Sequence, residues 1–293
     1  MDSHLLSISD LRDVDIDRIL DGAEALSRSL QPGSDGTRRV VALLFLETSL
    51  RTRVGFATAA ARLGWQPIEV LELRHSPVSM TESFEDTLRT VSGMADIVVS
   101  RPACPIDREM IAKHSVSAFI NAGDKGPSAE HPTQALIDLR AIEAALGPIS
   151  GLRVAICGDP RMRAVRSLVQ LFVRRRPARL SIIAAPSHRA AECIPPPLVA
   201  ISDHRALPEL DDIDVLYIAG IPHASLPVDE RARLILTTEA LSRLPPRSIV
   251  LSPMPIIDEI DQSARRDQRM RMFWQSDQAL FVRMALLEEI VSR

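Results

Sequence analysis

The segment Leu46-Glu47-Thr48-Ser49-Leu50-Arg51-Thr52-Arg53 falls where an apolar run hands over to a helical pattern. A helix start offers unpaired backbone N–H groups and the positive end of the helix dipole, and both suit a phosphate. Ser49 and Thr52 add hydroxyl donors, and the planar fork of Arg51 can bind phosphate oxygens. An ordinary capped helix with a solvated arginine pair fits this segment equally well, since hydroxyl-plus-arginine turns are common. A second segment, Asn121-Ala122-Gly123-Asp124, precedes His131-Pro132-Thr133-Gln134-Ala135-Leu136. Pro132 suits a first helical turn, and His131 and Gln134, three apart, share one face at the start of that helix. There they could donate to a carbonyl oxygen and accept from an amide nitrogen. Taken alone, a capped helix with surface His and Gln is the simpler account. Arg101, directly after the run Asp96–Ser100, would stand at a strand's carboxyl end. Singly, a solvated arginine explains it better.

These side chains need strands and helices to hold them. Apolar residues from Ile8 to Leu30 at helical spacing predict a first helix ended by Pro32-Gly33. Val40–Leu46 reads as a buried strand, Thr52–Leu63 as a helix with Gly64 as its cap, and Ile68–Leu73 as a strand. Ser79-x-x-Glu82 is a capping box for a helix running to about Met94. Asp96–Ser100 and Ser117–Ile120 are strands around the helix Pro105–His114, and His131–Leu146 is a long helix ended by Gly147-Pro148. The alternation then restarts. Leu152–Cys157, Leu180–Ala184, Val215–Ile218 and Ser248–Leu251 read as strands, Arg163–Arg174 and Leu280–Val291 as helices. Such alternation predicts an α/β protein of two doubly wound parallel-sheet domains, residues 1–147 and 148–293, with a cleft between them.

The bulk numbers narrow the function classes. At 293 residues with 46% hydrophobic and 25% charged side chains, the chain has the profile of a globular protein with sizeable cores. A formal net charge of −3 gives no basic field for nucleic acid. Cys104, Cys157 and Cys193 are scattered without metal-like spacing, which argues against a disulfide framework and for a reducing compartment. The N-terminus Met1-Asp2-Ser3-His4 reads as no signal peptide, and no apolar run approaches the ~20 residues a membrane span needs. A cytoplasmic protein with no membrane and no nucleic-acid partner is expected.

Together the motifs resemble a known family. Ser49-Leu50-Arg51-Thr52-Arg53 is similar to the Ser-Thr-Arg-Thr-Arg signature of the aspartate/ornithine carbamoyltransferases, with Phe56 and Ala59–Gly64 following at the family's spacing. His131-Pro132-Thr133-Gln134 and Asn121-Ala122-Gly123-Asp124 resemble the aspartate branch in particular. The likeness runs to Arg283-Met284-Ala285-Leu286-Leu287, nearly the whole chain. It implies carbamoyl phosphate as one substrate and an amine acceptor as the other. Ser49, Arg51 and Thr52 would hold the phosphate, and Arg101 would reach both phosphate and carbonyl. His131, with Thr52 and Arg101, would polarise the carbonyl. Gln134 would hold the carbamoyl NH₂, and the backbone around Pro253-Met254-Pro255 would orient carbamoyl and acceptor. It further implies a homotrimer in which a neighbouring subunit lends Ser76, a C-terminal helix packing back on the first domain, and no metal or organic cofactor.

The sequence departs from the family pattern where the acceptor binds. Leu50 replaces a threonine of the signature, and Met80 falls where the aspartate branch has a lysine. Arg163 matches one acceptor-binding arginine. The family's Thr-Arg-Val-Gln is replaced by Ala219-Gly220-Ile221-Pro222, however, and its His-Pro-Leu-Pro-Arg by Ser252-Pro253-Met254-Pro255-Ile256. Three readings follow. The chain carbamoylates an amine other than free aspartate; or it is an aspartate enzyme with substitute contacts; or it is a non-catalytic relative. Retention of Arg51, Arg101, His131 and Gln134 argues against the third and the altered clamp favours the first.

Overall fold

The computed structural model describes residues 4–29, 36–70, 82–185, 188, 200–202, 210–222 and 226–292. Contact density divides the chain into two compact units, Met1–Ile137 with Ser276–Arg293, and Asp138–Gln275. The expected break at 147 differs from this division. It was placed where a helix stops, at Gly147-Pro148, whereas the division falls inside one helix and, near the C-terminus, inside another.

In the first unit, β1 (His4–Leu5), α1 (Asp13–Ser29), β2 (Val40–Phe45), α2 (Leu50–Arg62), β3 (Gln66–Val70), α3 (Phe84–Ser92), β4 (Ile97–Arg101), α4 (Arg108–His114) and β5 (Ala118–Asn121) follow in order, and α5 (Pro132–Leu146) begins there. The sheet is parallel, with strand order β1-β5-β4-β2-β3. From β2 the chain goes first to β3 on one side and then to β4 on the other. The carboxyl ends of β2 and β4 are therefore the switch point, the place where such sheets take ligands. Val41 to Phe45 of β2 are all buried, as an unbroken apolar run requires of a central parallel strand. The Ser100 hydroxyl donates to the Leu44 carbonyl at 3.1 Å, and the Leu46 N–H to the Arg101 carbonyl at 3.1 Å, so the two strand ends are tied together.

The second unit carries β6 (Arg153–Cys157), α6 (Arg163–Arg175), β7 (Arg179–Ile183), β8 (Ala200–Ser202), β9 (Val215–Ile218), α7 (Val228–Ala232), α8 (Thr238–Arg243) and β10 (Ile249–Leu251), and α9 (Met272–Val291) starts within it. Its parallel sheet has the order β10-β9-β6-β7-β8. The switch point here is between β6 and β9. Gly158, just past β6, has φ +132°, and a Cβ on it would stand 2.6 Å from the Ala219 carbonyl oxygen. Only glycine lets the two strand ends approach so closely.

The expected elements are present with shifted ends. The third helix starts at Phe84 and is capped by Ser83, whose hydroxyl accepts from the Asp86 N–H at 3.0 Å; Ser79 lies outside the described residues, as do Ser76, Met80 and Cys193. Helix α9 begins at Met272 rather than Leu280 because its second buried position is the polar Gln275, which breaks the apolar period. The strands β1 and β8 and the helices α7 and α8 were too short to read. Among the described residues no helix is long and apolar enough to cross a membrane.

Candidate active site

Ser49 occupies the N-cap of α2 with extended backbone (φ −156°), yet its hydroxyl makes no capping bond. It accepts instead from Arg101 Nη1 at 3.1 Å. Arg101 is the last residue of β4, and its Nε also lies 3.5 Å from Glu47 Oε2, while Lys125 Nζ holds Glu47 Oε1 at 2.5 Å. The strand ends thus present Ser49 and Arg101 as one unit beside a helix start that, among the described residues, no side chain caps. Thr52 is buried in the first turn of α2. Arg51 is half-buried and, among the described residues, makes no hydrogen bond or ion pair; burial holds its guanidinium below the usual arginine range.

His131 directly precedes α5 and is 7% exposed. Its carbonyl accepts from the Gln134 N–H at 3.0 Å, and its Nδ1 lies 3.2 Å from the Thr133 hydroxyl. Burial first, and the charge of Arg283 second, push its pKa down to about 3, so the ring is neutral at ordinary pH. The segment before it is a scaffold. Asn121 accepts from the Gly123 N–H (2.9 Å) and donates to the Leu6 carbonyl (3.0 Å) and to Asp124 (3.2 Å), and Asp124 accepts from the Glu130 N–H (2.7 Å). Gln134, partly buried, sits in the first turn of α5.

One residue of this group escaped the sequence reading of the site. Arg283, in the middle of α9, is 6% exposed and pushed down to about 10 by burial first and by Arg51 second. Its signal in the sequence was a lone arginine within an apolar helical run.

The second unit places its candidate residues at the ends of β6, β9 and β10. Arg163 opens α6, which follows β6. Arg161, two residues earlier, is engaged by Asp159, to which its Nε and Nη2 donate at 2.9 Å each. A Cβ on Gly220 would have only Met162 Cε at 3.6 Å and Glu259 Oε1 at 4.0 Å near it, so a side chain would fit. Glu259 is 3% exposed and accepts from the N–H groups of Ile221 (3.2 Å), Ile257 (2.8 Å) and Asp258 (3.2 Å). The buried cation nearby, Arg231, is committed to Asp258 and to the Ile221 carbonyl at 2.5 Å. Past β10, Met254 takes a left-handed backbone (φ +51°), and its N–H donates to the Ser252 hydroxyl at 3.2 Å. A buried chain of bonds, also missed from sequence, supports Pro253 and Met254. The Tyr217 hydroxyl donates to Asp138 at 2.7 Å, Gln275 donates to the other Asp138 oxygen at 2.5 Å, and Gln275 accepts from the Ser252 N–H at 3.1 Å. Among the described residues no cluster of three or more His, Cys, Asp or Glu could hold a metal ion.

Two parallel α/β sheets, one of them ending beside a helix start with Arg51 and Arg283 unpaired among the described residues, place the molecule among α/β folds that take ligands at a switch point. Comparison with known proteins makes the class specific. Residues 3–144 match the family described as aspartate/ornithine carbamoyltransferase, carbamoyl-P binding domain. The aspartate carbamoyltransferase catalytic subunit of Methanocaldococcus jannaschii is 33% identical over 300 residues, covering 98% of this chain and 97% of the relative. A crystal structure of the M. jannaschii catalytic subunit superposes with a TM-score of 0.85 at 31% identity, covering 99% and 98% of the two chains. The Trypanosoma cruzi aspartate transcarbamoylase, solved with carbamoyl phosphate and aspartate, gives 0.80 at 25% identity, covering 97% and 95%. The chain belongs to the aspartate/ornithine carbamoyltransferase family, close to its aspartate carbamoyltransferase catalytic chains.

Proposed function

We propose that this carbamoyltransferase binds carbamoyl phosphate at the Ser49–Arg53 turn and carbamoylates an amino-acid-like amine lacking a second carboxylate. The observation that carries the first half is the α2 start, where Ser49 and Arg101 are joined at the switch point and Arg51 has no anion of its own among the described residues. Ser49, Arg51 and Thr52 hold the phosphate, and Arg101 reaches from phosphate to carbonyl. In the tautomer in which Thr133 donates to Nδ1, the neutral His131 carries its proton on Nε2 and donates it to the carbamoyl oxygen as the amine attacks. Gln134 holds the carbamoyl NH₂. The new C–N bond forms as the C–O bond to phosphate breaks, and phosphate leaves with the bonding pair and takes up the proton that the amine gives up. Positioning and fixed dipoles supply the rate gain, so no metal or organic cofactor is called for.

The acceptor half rests on Gly220. Among the described residues the charged side chain within 4 Å of a Cβ at this position is the Glu259 carboxylate, and Arg231 is already committed. A second substrate carboxylate would meet repulsion where the resembling family has an arginine. Arg163 takes the acceptor's single carboxylate, and the backbone of Pro253 and Met254 orients its amine. A second reading, aspartate as acceptor, is favoured by the likeness to aspartate carbamoyltransferase catalytic subunits along nearly the whole chain. Incubation with labelled carbamoyl phosphate and a panel of amines, read by product mass, separates the two. N-carbamoylaspartate as the dominant product at ~1–10³ s⁻¹ would establish the second reading.

The enzyme is cytoplasmic and assembles as a closed homotrimer, an arrangement ordinary for cyclic oligomers; the family resemblance and Ser76 support this. Light scattering that gives a monomer at micromolar concentration would refute the trimer.

A further inference from the structure

The helix that bears the phosphate turn carries a notch, and an arginine fills it. Gly55 lies in the interior of α2, where glycine is unfavourable. A Cβ there would stand 2.1 Å from Nη1 and 2.6 Å from Cζ of Arg283. The same guanidinium lies 5.5 Å from the centroid of the Phe56 ring. Among the described residues Arg283 makes no hydrogen bond and no ion pair, although it is 6% exposed. A buried charge without a counter-charge is strongly unfavourable. Two unfavourable choices therefore meet at one point, one turn beyond Arg51 and Thr52. Arg283 feels the charge of Arg51, and His131 feels the charge of Arg283.

We propose that Arg283 is a positioning residue of the phosphate site, seated by the Gly55 notch one turn beyond Arg51 and Thr52 so that its fixed charge is compensated when the substrate's phosphate binds. The inference rests on reading Ser49–Arg53 as the phosphate turn. It makes the unliganded site a charged, destabilised cradle that the anion completes, and it assigns Gly55 a reason to be glycine.

The test is calorimetric titration of carbamoyl phosphate and of inorganic phosphate into the wild type, Arg283→Met, Arg283→Lys and Gly55→Ala, with thermal unfolding of each unliganded protein. Arg283→Met is expected to bind both anions at least about tenfold more weakly while its Tm stays level or rises, because an uncompensated buried charge has gone. Arg283→Lys recovers part of the affinity. Gly55→Ala keeps the charge but displaces it, and loses affinity severalfold. A lower Tm with wild-type affinity in Arg283→Met would mark a structural arginine and overturn the proposal. If that variant does not fold, wild-type affinity in Gly55→Ala overturns it equally. Wild-type protein that binds neither anion would remove the reading of the turn itself, whereas wild-type binding matched by Arg283→Met removes this inference alone.

Discussion

The two switch points of this molecule treat charge in opposite ways. At the ends of β2 and β4, Arg51 and Arg283 have no carboxylate partner among the described residues, and Arg101 shares Glu47 with Lys125. At the ends of β6 and β9, the cations are engaged internally, Arg161 by Asp159 and Arg231 by Asp258, and a buried carboxylate, Glu259, lies beside the empty position at Gly220. One switch point leaves two arginines unpaired among the described residues. The other pairs Arg161 and Arg231 internally and leaves space at Gly220. The difference teaches that each sheet can set the charge at its own switch point independently of the other.

The contrast can be broken first where it is strongest. Arg101→Ala removes the donor to Ser49 and the group placed to stabilise the carbonyl oxygen, and it should lower kcat by ~10²–10³, the loss typical of a removed oxyanion donor. Steady-state kinetics with the best acceptor checks this. On the other side, Gly220→Arg should find room beside Met162 and a partner in Glu259, and aspartate carbamoylation should rise about tenfold or more. The gain stays below the full ~2–5 kcal/mol of a desolvated charge pair, because Pro222 also changes the loop. Product mass with aspartate as sole acceptor reads the outcome, and no gain would show that charge at 220 does not set specificity.

Smaller effects sharpen the same contrast. Tyr217→Phe deletes one donor to buried Asp138 and should cost ~1–3 kcal/mol of stability in urea unfolding, with carbamoyl phosphate affinity unchanged. His131 gives a pH-dependent signal with a defined sign. Its folded pKa of about 3 lies below the ordinary value of 6.5. The unfolded chain therefore binds the extra proton, and this contribution to stability, complete above 6.5, is lost as pH falls towards 3. His131→Gln should flatten that part of the stability profile, and acid-side kinetics between pH 5 and 7 should show no titration of this ring.

Legibility in the sequence followed the same divide. The Ser49–Arg53 turn is local: a strand end, a serine, two arginines and a helix start lie within eight residues, so its strand–turn–helix setting could be read from the sequence, and both parallel sheets followed from the strand–helix alternation. What escaped depends on residues far apart in the chain. The fit of Arg283 against Gly55 is invisible without the packing of α9 on α2. Asp138, Tyr217 and Gln275 each look like a stray polar residue in an apolar run until their hydrogen bonds are seen together. Asn121 and Asp124 were noticed as motif and proved to be the frame that delivers His131. The altered acceptor loop was legible as a loss at Gly220, but the buried Glu259 beside it was not.

The most direct measurement is a calorimetric titration of carbamoyl phosphate into the wild type and Arg51→Ala. Saturable binding by the wild type, weakened by ~1.5–3 kcal/mol in the variant, the range for a hydrogen bond to a charged group, is the expected result. Equal affinity in the two proteins, or no binding by either, would contradict the assignment of the Ser49–Arg53 turn as the phosphate site.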